Sequence, residues 1–236
     1  MSHIELKNIT INGINMYDKR RKLWNIFSSN KPKPIRILKD MNFSAKNGDR
    51  IGILGKNGHG KSSLVKAITG IYPPHLGTIN INGKIISVIE GGSVISAQVP
   101  ARYALKMCFV YNNAVDEYNE DLANQIFDFA GLNEYKEMPL IQYSSGMVNR
   151  LSVSASLFQS GKIAIFDEVL TMTDANFNRK ARLKIDEIWR NVDIGIYISH
   201  NIEDLRKFCD KCYIVHEGSM LDCGKTEKMI DIYNKL

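Results

Sequence analysis

Gly55-Lys56-Asn57-Gly58-His59-Gly60-Lys61-Ser62 is a complete G-x-x-x-x-G-K-S phosphate-binding loop. It follows the apolar run Arg50-Ile51-Gly52-Ile53-Leu54 and precedes the helix-like run Ser63-Leu64-Val65-Lys66-Ala67-Ile68. A strand that ends in a glycine-rich turn and then opens a helix points several backbone N–H groups, and the helix's positive end, at one spot. The glycines let the backbone wrap a phosphate without Cβ clashes. Lys61 is placed to reach the β- and γ-phosphates, and the Ser62 hydroxyl to ligate Mg²⁺. A chance glycine-rich turn lacks this setting, so the stretch from Gly55 to Ser63 predicts a nucleoside triphosphate site on an α/β fold.

Working outward, 236 residues give room for one α/β domain with a smaller subdomain. A hydrophobic content of 44% and a charged content of 24% are ordinary for a folded chain. Met1 to Asn8 contains no apolar signal core, and no apolar run is long enough to span a bilayer. The expectation is a cytoplasmic chain that serves any membrane process through a partner. Cys108, Cys209, Cys212 and Cys223 fit a reducing compartment. The pair Cys209-x-x-Cys212 reads as structural, because a zinc site needs four ligands.

The net charge of +6 permits nucleic acid, an anionic membrane or an acidic partner. Its densest cluster is Lys19-Arg20-Arg21-Lys22, followed by Leu23, Trp24, Ile26 and Phe27. This reads two ways, as a solvated basic turn or as a short amphipathic helix at a cytoplasmic leaflet. No stretch interleaves aromatic and basic residues as a single-strand platform would, so no nucleic-acid partner is expected.

Ile4 to Ile11 and Ile35 to Phe43 read as strands, with Lys31-Pro32-Lys33-Pro34 an extended spacer before the second. Asn47-Gly48-Asp49 is a turn, and the helix after the phosphate loop should end at Gly70. Thr78 to Ile81 and Lys84 to Ile89 read as a hairpin joined by Asn82-Gly83. From about Pro100 to Phe158 the pattern is helical, with Leu122, Ile126, Phe129 and Ala130, then Leu151, Ala155 and Phe158, at helical spacing. Beyond it, Lys162 to Phe166 is an apolar strand ending in Asp167-Glu168. Arg179 to Arg190 reads as a helix, Gly195 to Ser199 as a strand and Ile202 to Phe208 as a helix. Lys211 to Val215 is a further strand, and Thr226 to Lys235 a closing helix. Alternating strands and helices imply a mainly parallel sheet with ligands at the strands' carboxyl ends.

Three further motifs stand in order behind the phosphate loop. The strand ending at Asp167-Glu168 suits a Walker B motif, with Asp167 for outer or inner coordination of Mg²⁺ and Glu168 to polarise the attacking water. Tyr143-Ser144-Ser145-Gly146-Met147 places small residues at the start of a helix beginning near Val148, a second anion-binding position. Ile198-Ser199-His200-Asn201 puts a histidine just past a strand end, where it can hydrogen-bond a γ-phosphate. In this order the four elements resemble the nucleotide-binding subunit of an ATP-binding-cassette (ABC) transporter, over essentially the whole chain.

The spelling of Tyr143 to Met147, the signature loop in that family, resembles one branch, the ATPases that export bacterial surface polysaccharides. Asp167-Glu168-Val169-Leu170 and Ile85 to Gly92 are similar to that branch as well, with Glu90 where most relatives carry glutamine. The basic insertion from Asp18 to Lys33 fits a helix that faces the channel's membrane entrance in the branch. The resemblance implies a P-loop ATPase core with a mainly parallel sheet, an N-terminal antiparallel β subdomain and an inserted helical subdomain. It implies a single ABC ATPase domain over 1–236, with the insert at about 95–160. Tyr17 is the candidate to stack on adenine, with Ile14 as the other occupant of that position. Ser62, Glu90 and Asp167 would serve Mg²⁺.

The resemblance further implies that Ser144, Ser145 and Gly146 of a second copy cap ATP bound from Gly55 to Ser63, with Asp174 at the dimer seam. Glu168 and His200 would be catalytic. The implied partners are two copies of an integral membrane permease, a second copy of this chain, and a lipid-linked polysaccharide as cargo. O-antigen is the first expectation for that cargo, with capsule or teichoic acid otherwise. The implied place is the cytoplasmic face of the bacterial inner membrane, held peripherally. Two alternatives stand beside it: a non-transport cassette ATPase acting on nucleic acid, and a cassette for another cargo such as a drug or small lipid.

Overall fold

The structure, a computed structural model, describes residues 1–13, 35–88, 98–167, 174–199 and 201–236. In chain order the first elements are β1 (His3–Gly13), β2 (Ile35–Lys46), β3 (Arg50–Leu54), α1 (Lys61–Ile68), β4 (Leu76–Asn82) and β5 (Ile85–Val88). Three helices follow, α2 (Ala101–Tyr111), α3 (Glu120–Ala130) and α4 (Ser145–Leu157). The rest are β6 (Ile163–Asp167), α5 (Ala175–Asn191), β7 (Ile194–Ile198), α6 (Ile202–Phe208), β8 (Lys211–His216), β9 (Ser219–Lys225) and α7 (Thr226–Tyr233). They fall into two compact units, one made of Met1–Asn82 with Ser199–Leu236 and the other of Gly83–Ile198.

In the first unit β1 is the middle strand of a three-stranded antiparallel sheet, between β2 and β4. Ile4, Leu6, Ile9 and Ile11 are all buried. The step from Leu6 to Ile9 breaks a two-residue alternation, and the register shifts there, with Asn8 at φ 52°. This bulge keeps all four side chains on one face. Asn42 fixes it: Oδ1 accepts the Asn8 N–H at 3.0 Å, and Nδ2 donates to Asn8 Oδ1 at 3.3 Å. Strand β3 pairs in parallel with β8, and both are apolar runs with little polar alternation, as strands covered on two faces require. The turn Glu217-Gly218, at φ 46° and 81°, returns the chain as β9, antiparallel to β8.

In the second unit β5, β6 and β7 are parallel, with Asp167 opposite Ile198 at the end of β6. The Trp189 ring of α5 packs 6.0 Å from Phe166 and 5.7 Å from Tyr197 and so covers this sheet. Helices α2, α3 and α4 share one apolar cluster that includes Leu105, Phe109, Ile126, Phe127 and Leu151. Asn119 caps α3 by accepting the Leu122 N–H at 2.8 Å, and Gly131 at φ 67° ends it. Glu117 ties this helical part to the start of β5: it accepts hydrogen bonds from Lys84 Nζ, from the Ser160 N–H at 2.8 Å and from Ser160 Oγ at 2.7 Å.

Two sequence readings need correction. Asn82-Gly83 does not turn a hairpin, since β4 pairs with β1 and β5 pairs with β6. The dipeptide is only a local signal, and apolar β5 buries Ile86 and Val88 beside β6, which the largely exposed β4 would not allow. The signature helix starts at Ser145 and not near Val148. Strand β9 carries no clear sequence signal, because Ser219 to Lys225 mixes Met220, Leu221 and Cys223 with polar residues and glycine without alternation and is only partly covered.

Candidate functional site

Strand β3 delivers the chain to the phosphate loop, and α1 leaves from it, as the flanking apolar runs require. Gly60 immediately precedes α1 with φ 106°, a left-handed conformation open to glycine and costly for other residues. At Gly55 a side-chain Cβ would stand 2.5 Å from the Val215 carbonyl oxygen, so the loop can leave β3 here only without a side chain. The Leu64 N–H donates to the Gly60 carbonyl at 2.9 Å, closing the first turn of α1.

Lys61 is buried, and its Nζ donates to the Gly55 carbonyl at 2.7 Å and the Lys56 carbonyl at 3.2 Å. The loop thus folds around its own ammonium. Asn57, Gly58 and Ser62 are exposed, and Lys56 Nζ reaches the Leu236 carbonyl at 3.0 Å. His59 anchors the loop from below: its carbonyl accepts the Gly218 N–H at 3.0 Å, and its ring meets His216 edge-on at 4.7 Å.

The second unit carries the other described candidates. Asp167 ends β6 and is buried. Ser144 caps α4, accepting the Met147 N–H on Oγ at 3.2 Å, with Ser144 and Ser145 exposed and Gly146 half-buried. Tyr143, just before them, is pinned by its hydroxyl donating to the Tyr135 carbonyl at 2.8 Å. Burial pushes its phenol up to about 12. Asp174 caps α5, accepting the Phe177 N–H at 3.0 Å, and stands 3.7 Å from Arg150 Nη1. Capping lowers its carboxyl below the ordinary range; desolvation opposes this, and Arg150 adds a lesser lowering.

Tyr17, Glu90, Glu168 and His200 lie outside the described residues, as does the basic segment 18–33. The sequence reading missed Arg150, His216 and Gly218. None of the three carries a local signal, because folding alone brings Arg150 to Asp174 and His216 and Gly218 to the loop. The C-x-x-C pair packs as core: Cys209 and Cys212 are buried, and desolvation raises both thiols.

Two groups of comparisons bear on this arrangement. The sequence pattern described as ABC transporter matches residues 38–171. The chain is 29% identical over 236 residues to the teichoic acids export ATP-binding protein TagH of Lactiplantibacillus plantarum, covering 98% of this chain and 64% of that protein. Identity is 30% over 217 residues to TagH of Enterococcus faecalis, covering 92% and 48%. It is 28% over 208 residues to the ABC transporter protein AbcA of Aeromonas salmonicida, covering 86% and 66%. The chain therefore spans about half to two thirds of the length of these curated relatives. Among solved structures, an ATP-binding subunit of an ABC transporter superposes with TM-score 0.71 at 17% identity, covering 98% of this chain and 93% of that one. A dimeric ATP-binding cassette in a post-hydrolysis state with ADP and Pi gives 0.70 at 17%, covering 94% and 98%. With the family's pattern over more than half of its length and the fold of an ATP-binding cassette over nearly all of it, this chain belongs to the ABC transporter family.

Proposed function

We propose that the chain powers export of a lipid-linked surface polymer across the bacterial cytoplasmic membrane through a separate permease, working as a peripheral cassette domain over 1–236 with a helical insert at about 95–160. The observation that carries this reading is the similarity, over 98% of the chain, to a protein named for teichoic acid export. Among O-antigen, capsule and teichoic acid, those names favour teichoic acid, in place of the O-antigen that the signature spelling suggests first. The exposed apolar stripe Tyr103, Met107, Val110 and Tyr111 along α2 supports a permease partner.

ATP lies on the backbone of Gly55 to Ser63, with the Lys61 ammonium turned from loop carbonyls to the β- and γ-phosphates. Ser62 and Asp167 offer oxygen donors, which suit Mg²⁺, and Glu90 adds a second carboxylate to that set. Among the described residues no three His, Cys, Asp or Glu side chains converge as a metal site, so phosphate and water oxygens would complete the shell. Mg²⁺ held by these residues would neutralise charge developing on the transferred phosphoryl group. Glu168 takes the proton of the attacking water, His200 holds the γ-phosphate and Tyr17 stacks on adenine. Ser144, Ser145 and Gly146 of a second copy cap the nucleotide, with Asp174 at the seam. Each copy then supplies two halves of different sites, and the pair closes with two-fold symmetry.

The test deletes the gene or installs Glu168→Gln, then identifies by mass spectrometry the glycans held on the inner face of the cytoplasmic membrane. A polyol-phosphate polymer on a polyprenyl diphosphate supports the teichoic acid reading. A phosphate-free polysaccharide on that carrier supports O-antigen, and one on a phospholipid supports capsule. A normal cell surface with no accumulated polymer sinks the export reading.

A further inference from the structure

Two of the candidate elements stand at the N-termini of α4 and α5 in the second unit, and one side chain joins them. Asp174 divides its carboxylate: Oδ1 accepts the Phe177 N–H at 3.0 Å, while Oδ2 stands 3.7 Å from Arg150 Nη1. Arg150 lies on α4, less than two helical turns beyond the capping Ser144, so the two are joined by a rigid stretch of backbone. The carbonyl of Arg150 accepts Ser154 Oγ at 2.7 Å. One turn into α5, the buried Phe177 ring packs 5.7 Å from Phe129, which packs 5.3 Å from Phe158 just past the end of α4. The start of α5 is therefore held at two points, an aromatic one that persists without charge and an ionic one that orients the cap.

We propose that Arg150 is a positioning residue: it latches the start of α5 to the signature helix, so that Ser144, Gly146 and Asp174 meet a second copy as one edge. This rests on the two-copy clamp proposed above and adds to it the residue that keeps the edge in register. The arginine fork suits the role, because it can hold one carboxylate oxygen while the other remains bonded to the backbone. The aromatic contact keeps α5 packed when the latch is removed, so the variants should fold.

The experiment compares Arg150→Ala, Arg150→Lys, Asp174→Ala and the double alanine variant. Hydrogen exchange at the capped amides 176–178 is read in the nucleotide-free chain, and ATP-driven dimerisation in a Glu168→Gln background. Arg150→Ala should speed that exchange about two- to five-fold, the range of a half-exposed ion pair, and weaken dimerisation by a similar factor. Nucleotide affinity of the monomer should stay in place, the lysine variant should restore most of the loss, and the double variant should be no worse than Asp174→Ala alone. Effects that multiply in the double variant, or faster exchange with unchanged dimerisation, would overturn the proposal. A reference chain that forms no ATP-driven dimer sinks the clamp reading itself, and the exchange data still score the latch.

Discussion

At the scale of single residues, the phosphate loop is built around one cation. Lys61 Nζ holds the Gly55 and Lys56 carbonyls, so the ammonium both shapes the loop and stands ready for phosphate. Lys61→Ala should weaken ATP binding about 10- to 100-fold, the worth of a charge-assisted hydrogen bond, as read by titration calorimetry. Gly60→Ala tests the backbone instead. A side chain at φ 106° costs about 1–3 kcal/mol, so both the melting temperature and ATP affinity should fall. An unchanged melting temperature would show that the loop relaxes into another conformation. These residues were legible because their chemistry is contiguous: eight neighbours in the chain are also neighbours in space. Arg150 beside Asp174, and His216 beside His59, were not, since only folding brings them together.

Elements depend on ties of a different kind, and Glu117 is the clearest. Burial opposes its charge, but hydrogen bonds from Lys84 and Ser160 outweigh that cost and hold its carboxyl below the ordinary value. A depressed folded pKa means stability that is complete above the unfolded value, about 4.3, and lost as pH falls through the folded one. Glu117→Gln should therefore cost about 1 kcal/mol at pH 7, the low end for a charged hydrogen bond because solvent reaches the pair and screens it. The gap to the unsubstituted chain should narrow as denaturation is repeated below pH 4; a gap constant with pH would remove the charge from the explanation. Helices and apolar strands are the readable elements, because α3 shows its period in Leu122, Ile126 and Ala130, and β6 is apolar up to its closing Asp167. Strand β9 and the pairing of β4 depend on which partner is free to cover them, and no dipeptide records that.

For the whole molecule, the proposed function requires a division of labour between copies, and the two compact units make the consequence testable. Lys61 lies in the first unit and the signature serine in the second, so a variant in each should fail differently. Ser144 is exposed, and its replacement by arginine removes only the cap made to Met147, about 1 kcal/mol of local helix stability. Ser144→Arg should then bind ATP as a monomer with ordinary affinity, yet fail to dimerise and lose most hydrolysis. Glu168→Gln, which keeps shape and removes the base, should do the opposite and accumulate an ATP-bound dimer visible by light scattering. Mixing separates the two defects. A Lys61→Ala copy with a Ser144→Arg copy pairs one intact phosphate loop with one intact signature across a single interface, so hydrolysis should partly return if the signature acts in trans. If Ser144→Arg instead abolishes ATP binding by the monomer, the signature serves its own copy's nucleotide, and the two-fold clamp is the wrong mechanism.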